Sequence, residues 1–262
     1  VDHLIIAVAA LGASALTLYS GFGLGTLLLP VLALFMPVDL AVVATALVHG
    51  ANSLLKALLL GRQAQLRIVL VFGLPAMAAA LLGAWTLGAL AGLPGWLSWE
   101  LLGRTAQVTP VKLAMASLMV VFAWIELHPR FDHLQVPRRW LPAGGLLSGF
   151  FGGLSGHQGA LRSAFLAKAG LSAPAFVGTN AVIGLLVDLS RLSAYAALLA
   201  GGTLGGLGEA RIQGLVATAA LAAFAGVVLG SRLLHKVTMR QVQRLTGALL
   251  LVIALLLGMG LI

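Results

Sequence analysis

The segment GGLSGHQGALRS at 152–163 gathers Ser155, His157, Gln158 and Arg162 between long apolar runs. A guanidinium suits an oxyanion, because its planar fork of donors matches the geometry of such groups. Gly159 falls where a helix would restart after a glycine-rich break. The free N–H groups and positive dipole end of that helix favour the same ligand class. The candidate chemistry is therefore anion binding, with Ser155, His157 and Gln158 as neutral polar neighbours of Arg162.

Further polar residues follow the same logic. The stretch VGTNAV supplies Thr179 and Asn180, and VATALV supplies Thr45. Their side chains can bond to an oxyanion or turn back to helix carbonyls, as Ser and Thr do in membrane helices. An earlier break, YSGFGLGT at 19–26, adds Gly25 and Thr26. In HGANSLLK, His49, Asn52 and Lys56 share one helix face at spacings of three and four, a polar stripe. His49 reads either as a hydrogen-bonded packing residue or as a proton relay. Asp188 and Arg191 in DLSRL are three apart, so an intrahelical ion pair is the default and proton coupling through Asp188 the alternative. Lys168 reads as an interface anchor, and the Trp residues of PGWLSWE as an aromatic belt.

The elements that must position these residues are membrane helices. Of 262 residues, 60% are hydrophobic and 9% charged, and the mean hydropathy is +1.06. A soluble fold with this composition lacks the polar surface it would need. Apolar stretches cover about 4–19, 26–37, 39–60, 67–92, 110–127, 140–151, 159–170, 173–199, 212–231 and 241–261. Those at 26–37, 140–151 and 159–170 are too short to span a ~30 Å hydrocarbon layer comfortably. The alternation of a membrane β-barrel is absent. Counting from Gly170 at about 1.5 Å per residue sets Arg162 ~12 Å deep, near the midplane. An Arg there costs about 2.5–3.5 kcal/mol on insertion scales and must face protein, water or an anion. Snorkelling or pairing with Asp188 is the competing reading.

The net charge of +9 sits mostly in loops, where it orients the chain and meets anionic lipid, so nucleic acid is not expected as a partner. Arg62, Arg67, Arg130, Arg138, Arg139, Arg232, Lys236, Arg240 and Arg244 make nine of the sixteen basic residues and mark the cytoplasmic loops. Loops 93–109 and 200–211 face outward. Under those constraints 39–60 runs inward and 173–199 outward, so the two halves are inverted. A shift of 134 residues superposes Ser14 on Ser148, Gly25 on Gly159, Leu27 on Leu161, Ala41 on Ala175, Thr45 on Thr179 and Gly50 on Gly184. The same shift pairs Arg162 with Leu28, which makes the site asymmetric. The expected fold is an all-α polytopic membrane protein of two inverted repeats, each a glycine-broken helical hairpin followed by three transmembrane helices. Repeat one occupies 1–128, a basic cytoplasmic linker 129–139, and repeat two 140–262. Inverted repeats with broken helices are a plan of secondary transporters, with substrate held near the midplane.

Other chemistries fit less well. GLSG at 153–156 matches the G-x-S-G form around the nucleophile of rhomboid-type intramembrane serine proteases. The candidate bases after Ser155 are His157, two positions on, and His235, in a basic loop. Neither lies in a later membrane helix, and no enzyme is expected. With no Cys and Asp188 the one well-buried acid, no metal site or cation carrier is expected. The chain has no G-x-x-x-x-G-K-[ST] stretch, and no cofactor is implied. It begins VDHLIIAVAALGASALTLYS, without a basic n-region or initial Met, so no cleavable signal and a trimmed start are expected.

The glycine-rich hairpin followed by LLLPVLALFMPVDLAVVATALVHGANSLLKALLLGRQAQLR, and its second-half counterpart GFFGGLSGHQGALRSAFLAKAGLSAPAFVGTNAVIGLLVDLSRL, resemble the TauE/SafE sulfite exporter family, also called toluene sulfonate uptake permeases. The resemblance covers nearly the whole chain and rests on arrangement more than on any single residue. It implies movement of sulfur-containing anions, such as sulfite, sulfoacetate or other organosulfonates, across the bacterial inner membrane. Departures from the family's pattern lie in the breaks themselves: SGFGLGT lacks the longer glycine run, and the second break carries GHQGALR. The reading from residues and resemblance together is a secondary transporter working by alternating access, with export the expected direction and a passive anion channel as the alternative. The expected partners are a small anion, membrane lipid, protons as candidate coupling ion and a second copy of the chain as a candidate homodimer.

Overall fold

The structure is a computed structural model and describes residues 1–16, 23–101, 104–128, 136–166, 169–233 and 239–262. Most of the first break, the linker over 129–135, Lys168, His235 and Lys236 lie outside the described residues. Ten α-helices occur among them. They are α1 (Asp2–Leu16), α2 (Leu24–Leu32), α3 (Val38–Leu60), α4 (Leu66–Ala91) and α5 (Pro110–Leu127), then α6 (Leu141–Ser155), α7 (Gly159–Leu166), α8 (Ala173–Ala200), α9 (Ala210–Leu233) and α10 (Met239–Gly258). Short and long helices recur in the same order in both halves. Five helical segments, Val38–Gln63, Leu66–Ala91, Pro110–Leu127, Ala173–Ala200 and Ala210–Leu229, are long and apolar enough to cross a membrane. The chain is a multi-pass α-helical membrane protein.

Local chemistry explains the boundaries. Thr109 caps α5 by accepting from the Lys112 amide at 3.3 Å, and Ser172 caps α8 by accepting from the Ala175 amide at 3.4 Å. Each is followed by a proline in the first helical turn, where its missing N–H costs nothing. Trp85, Trp124 and Trp140 are about half exposed, as residues at a lipid-facing surface are. One segment departs from the all-helical expectation. Leu97–Leu101 (β1) and Arg104–Val108 (β2) pair antiparallel in the loop between α4 and α5. The Gln107 amide donates to the Gly260 carbonyl at 3.1 Å, and Trp99 Nε1 to the Met259 carbonyl at 3.0 Å. These bonds tie the hairpin to the end of α10, which supplies the backbone partners that a free loop in that place would lack. Trp96, by contrast, is 71% exposed.

Helix packing follows small residues. A Cβ added to Gly145, Gly149 or Gly153 would stand 2.2, 2.1 and 2.0 Å from the carbonyl oxygens of Phe72, Ala76 and Ala80. The i, i+4, i+8 spacing puts all three glycines on one face of α6, and the backbones touch. The order of these contacts makes α4 and α6 parallel. On the opposite side of the bundle, Gly214 meets His3 and Gly226 meets Leu11 and Ser14, so α1 and α9 are parallel too. Arg211 bonds Asp2 at 2.8 Å where those two helices begin.

Between these seams α3 lies against α8. Gly50 meets Asp188 and Leu192, Gly61 meets Val182, and Gly178 meets the Leu60 carbonyl, an antiparallel order. Helices α5 and α10 are antiparallel as well, with Gly247 against Leu127 and Gly258 against Ala116.

Candidate functional site

Helix α6 stops at Ser155 because Gly156 adopts φ 78°, the left-handed cap that glycine enters without a Cβ penalty. Helix α7 resumes at Gly159. Breaking a helix inside a bilayer leaves carbonyls without intrahelical donors, and each must be satisfied by protein. The Gly156 amide still bonds the Gly152 carbonyl at 3.0 Å, and helix α8 supplies further donors. Arg191 Nη1 donates to the Gly152 carbonyl at 2.9 Å, and the Tyr195 hydroxyl donates to the Gly153 carbonyl. On the other side of the break, Ser148 Oγ donates to the Gln158 carbonyl at 2.9 Å.

Arg162 lies one turn inside α7 and is 2% exposed. Its Nε donates to Asn180 Oδ1, and its Nη1 to Gln158 Oε1 at 3.0 Å. Both acceptors are neutral amide oxygens. The Gln158 amide turns its other end to Asp188, donating from Nε2 to Oδ1 at 3.1 Å. A cation at one end and a carboxylate at the other set the sense of that amide.

Asp188 is the hub, with no exposed surface. Its Oδ1 accepts from Arg191 at 2.6 and 3.0 Å, so the i, i+3 ion pair expected from DLSRL forms. Its Oδ2 lies 2.6 Å from His49 Nδ1, a contact across 139 residues that joins α3 to α8. Ser53 Oγ lies 3.3 Å from the same nitrogen. One connected network therefore runs from α3 through α8 to α7, and the two glycines paired by the 134-residue shift stand at its edges. Gly50 abuts Asp188, while a Cβ on Gly184 would lie 3.2 Å from Arg162 Nη1.

The first turn of α2 meets the second break. A Cβ on Gly25 would stand 3.2 Å from the Gly156 carbonyl oxygen and 3.8 Å from both His49 and Thr45. Beside this crossing, two buried polar atoms make no hydrogen bond among the described residues, Thr45 Oγ1 and His157 Nε2. His157 stacks on Phe122 at 4.8 Å with ring planes 12° apart, so its ring is held in one orientation. Gly159, Gln158, His157, Ser155, Asn180, Gly25, Thr45, His49 and Asp188 thus surround Arg162 or the crossing. Two threonines are used elsewhere. Thr179 Oγ1 accepts from the Gln65 amide at 2.9 Å, capping the start of α4, and Thr26 Oγ1 donates to the Gly23 carbonyl at 3.0 Å. Asn52 accepts from Ser14 at 3.4 Å, a link between α3 and α1.

Tyr195 escaped the sequence reading, and Ser148 entered it only as the counterpart of Ser14, not as a residue of the site. A signal existed for the first, because Asn180, Gly184, Asp188, Arg191 and Tyr195 recur at spacings of three and four along one face of α8.

A family model described as Sulfite exporter TauE/SafE matches residues 5–257. The chain belongs to the TauE/SafE family. This makes it a membrane transporter of a family that moves sulfur anions. No curated protein and no solved structure matches it. In this TauE/SafE chain Ser155 and His157 do meet, with Oγ 3.1 Å from Nδ1. Ser155 is nonetheless fully buried and donates to the Phe151 carbonyl at 3.0 Å, and no carboxylate orients the imidazole among the described residues. That is the geometry of a helix-end turn, with the hydroxyl bonded back to its own helix. No group of three His, Asp or Glu converges among the described residues of this TauE/SafE chain.

Proposed function

We propose that this chain carries a small sulfur-containing oxyanion, sulfite or an organosulfonate such as sulfoacetate, outward across the bacterial inner membrane by alternating access. The observation that carries the reading is Arg162, a buried guanidinium one turn inside a broken helix, bonded to the neutral oxygens of Asn180 and Gln158. An arriving oxyanion exchanges with those two oxygens, offering charge as well as lone pairs, so the exchange favours the anion. His157 and Thr45 provide the unpartnered polar atoms beside it. Residues 1–128 and 140–262 act as inverted repeats. The antiparallel packing of α3 on α8 and of α5 on α10 supports this, since an axis in the membrane plane reverses each helix relative to its counterpart.

Transport then consists of one half moving against the other about the crossing at Gly25 and Gly156. The His49–Asp188 contact, the polar bridge between α3 and α8, remakes or breaks as they slide. A proton taken up at His49 is the coupling ion in this scheme. Counterflow of radiolabelled sulfite into proteoliposomes tests the reading. Saturable exchange competed by sulfoacetate and lost in Arg162→Ala is the expected result. Exchange that survives the substitution removes Arg162 from the site, and high unitary conductance in its place makes the protein a channel.

A further inference from the structure

A second basic site lies away from the transport network, at the membrane face that carries Arg62, Arg67, Arg138 and Arg139. Because α4 and α6 are parallel and pack backbone to backbone, both begin there, side by side. Between their first turns is a cavity of about 250 Å³ lined by Gln65, Arg67, Ile68, Val71, Arg138 and Leu141. Two guanidinium groups and two parallel helix N-termini bring positive charge to this place, and the lining contains no carboxylate among the described residues. Arg67 and Arg138 make no ion pair among the described residues. The Arg138 guanidinium lies over Gly170, where an added Cβ would stand 3.0 Å from its Nη2.

The cavity continues into a surface for hydrocarbon. Below Arg67, the residues Val71, Leu74, Leu82 and Trp85 of α4 are 38–65% exposed, and Leu146 and Leu147 of the adjacent α6 are about half exposed. Eighteen residues separate Arg67 from Trp85, about 27 Å of helix at 1.5 Å per residue, close to one hydrocarbon layer. Val71 and Leu74 lie about 6 and 10 Å along the helix from Arg67, within one leaflet, so a cationic pocket above them matches one chemistry, a phosphodiester headgroup with its acyl chains attached. We infer that the cavity between the starts of α4 and α6 is a binding site for an anionic phospholipid, with the phosphate held by Arg67 and Arg138 and a chain lying along Val71 and Leu74. The inference goes beyond the transport reading and does not depend on it.

Native mass spectrometry of the detergent-solubilised full chain tests it, using dioleoyl phosphatidylglycerol and dioleoyl phosphatidylcholine, which share acyl chains and differ in headgroup charge. Phosphatidylglycerol is expected to be retained in preference. A basic residue near a membrane surface contributes about fivefold to such binding, so Arg67→Gln with Arg138→Gln should lower retention roughly thirtyfold. Val71→Trp, which fills the cavity without changing charge, should lower it as well, and guards against a folding defect in the double variant. Arg62→Gln, on the same face but outside the lining, should lower it far less. Equal retention of the two lipids, or an equal loss in Arg62→Gln, overturns the inference. Retention of inorganic phosphate without any lipid retention also overturns it, making the cavity a site for free anions.

Discussion

Helices α2 and α7 hold corresponding places in the two halves, and their chemistries are opposite. Helix α2 buries Leu24, Leu27, Leu28, Leu29 and Leu32, apolar throughout, and its one hydroxyl bonds to its own first turn. Helix α7 buries Arg162, with Gln158 just before its start, and its break is braced by Ser148, Arg191 and Tyr195. The short helix and its glycine are repeated, while the charge is not. Two short helices of like place in the chain can thus differ in the polar side chains they bury, because backbone geometry depends on small residues and turn chemistry, whereas buried polarity depends on a few individual side chains.

Paired substitutions break or sharpen this contrast. The backbone seams should be equally intolerant in both halves. Gly149→Leu on α6 and Gly226→Leu on α9 drive side chains into a facing backbone, and each should abolish the monodisperse peak on size-exclusion chromatography. Next in size is the hub. Asp188→Ala leaves the Arg191 guanidinium buried without its carboxylate, a loss of about 3–5 kcal/mol. Its counterpart at the 134-residue shift, Leu54, is 47% exposed, and Leu54→Ala should change stability by less than about 1 kcal/mol. Thermal unfolding in detergent measures both.

The third pair separates site from scaffold. Arg162→Ala should abolish saturable sulfite counterflow without unfolding the protein, since it removes the charged donors that face the anion. Leu28→Ala should instead destabilise the fold by about 2–5 kcal/mol and leave KM near that of the wild type in the protein that remains folded. The smallest contrast uses two threonines. Thr179→Val removes the acceptor of the Gln65 amide and should cost about 1 kcal/mol, while Thr45→Val removes a hydroxyl with no partner among the described residues and should not lower stability. A rise in KM for Thr45→Val with stability unchanged would assign that hydroxyl to the anion.

The helical frame was legible because membrane helices declare themselves by length and hydropathy. The expected stretches 39–60, 67–92, 110–127 and 173–199 agree with α3, α4, α5 and α8 within two residues. The hairpin in loop 93–109 was not legible, since its partners are backbone groups at the end of α10, about 150 residues away. The site was legible in part. Arg162, Gln158, His157 and Asn180 stood out as polar residues at a break, and the Asp188–Arg191 pair followed from its spacing. Thr179 looked identical to a ligand residue in sequence, yet its hydroxyl belongs to the start of α4, because only the packing of α8 on the α3–α4 turn brings the Gln65 amide to it.

Composition alone determined that this chain lies in a bilayer, since no soluble fold covers so much apolar surface, and the glycines determined where helices must break. The tertiary structure decided what those breaks hold. Residues 139 apart in sequence became the 2.6 Å contact of His49 with Asp188, and Gly25 came to rest against Gly156. Polar partners in a membrane protein are chosen by which helices cross and at what depth, and that depends on how small-residue seams let whole helices approach.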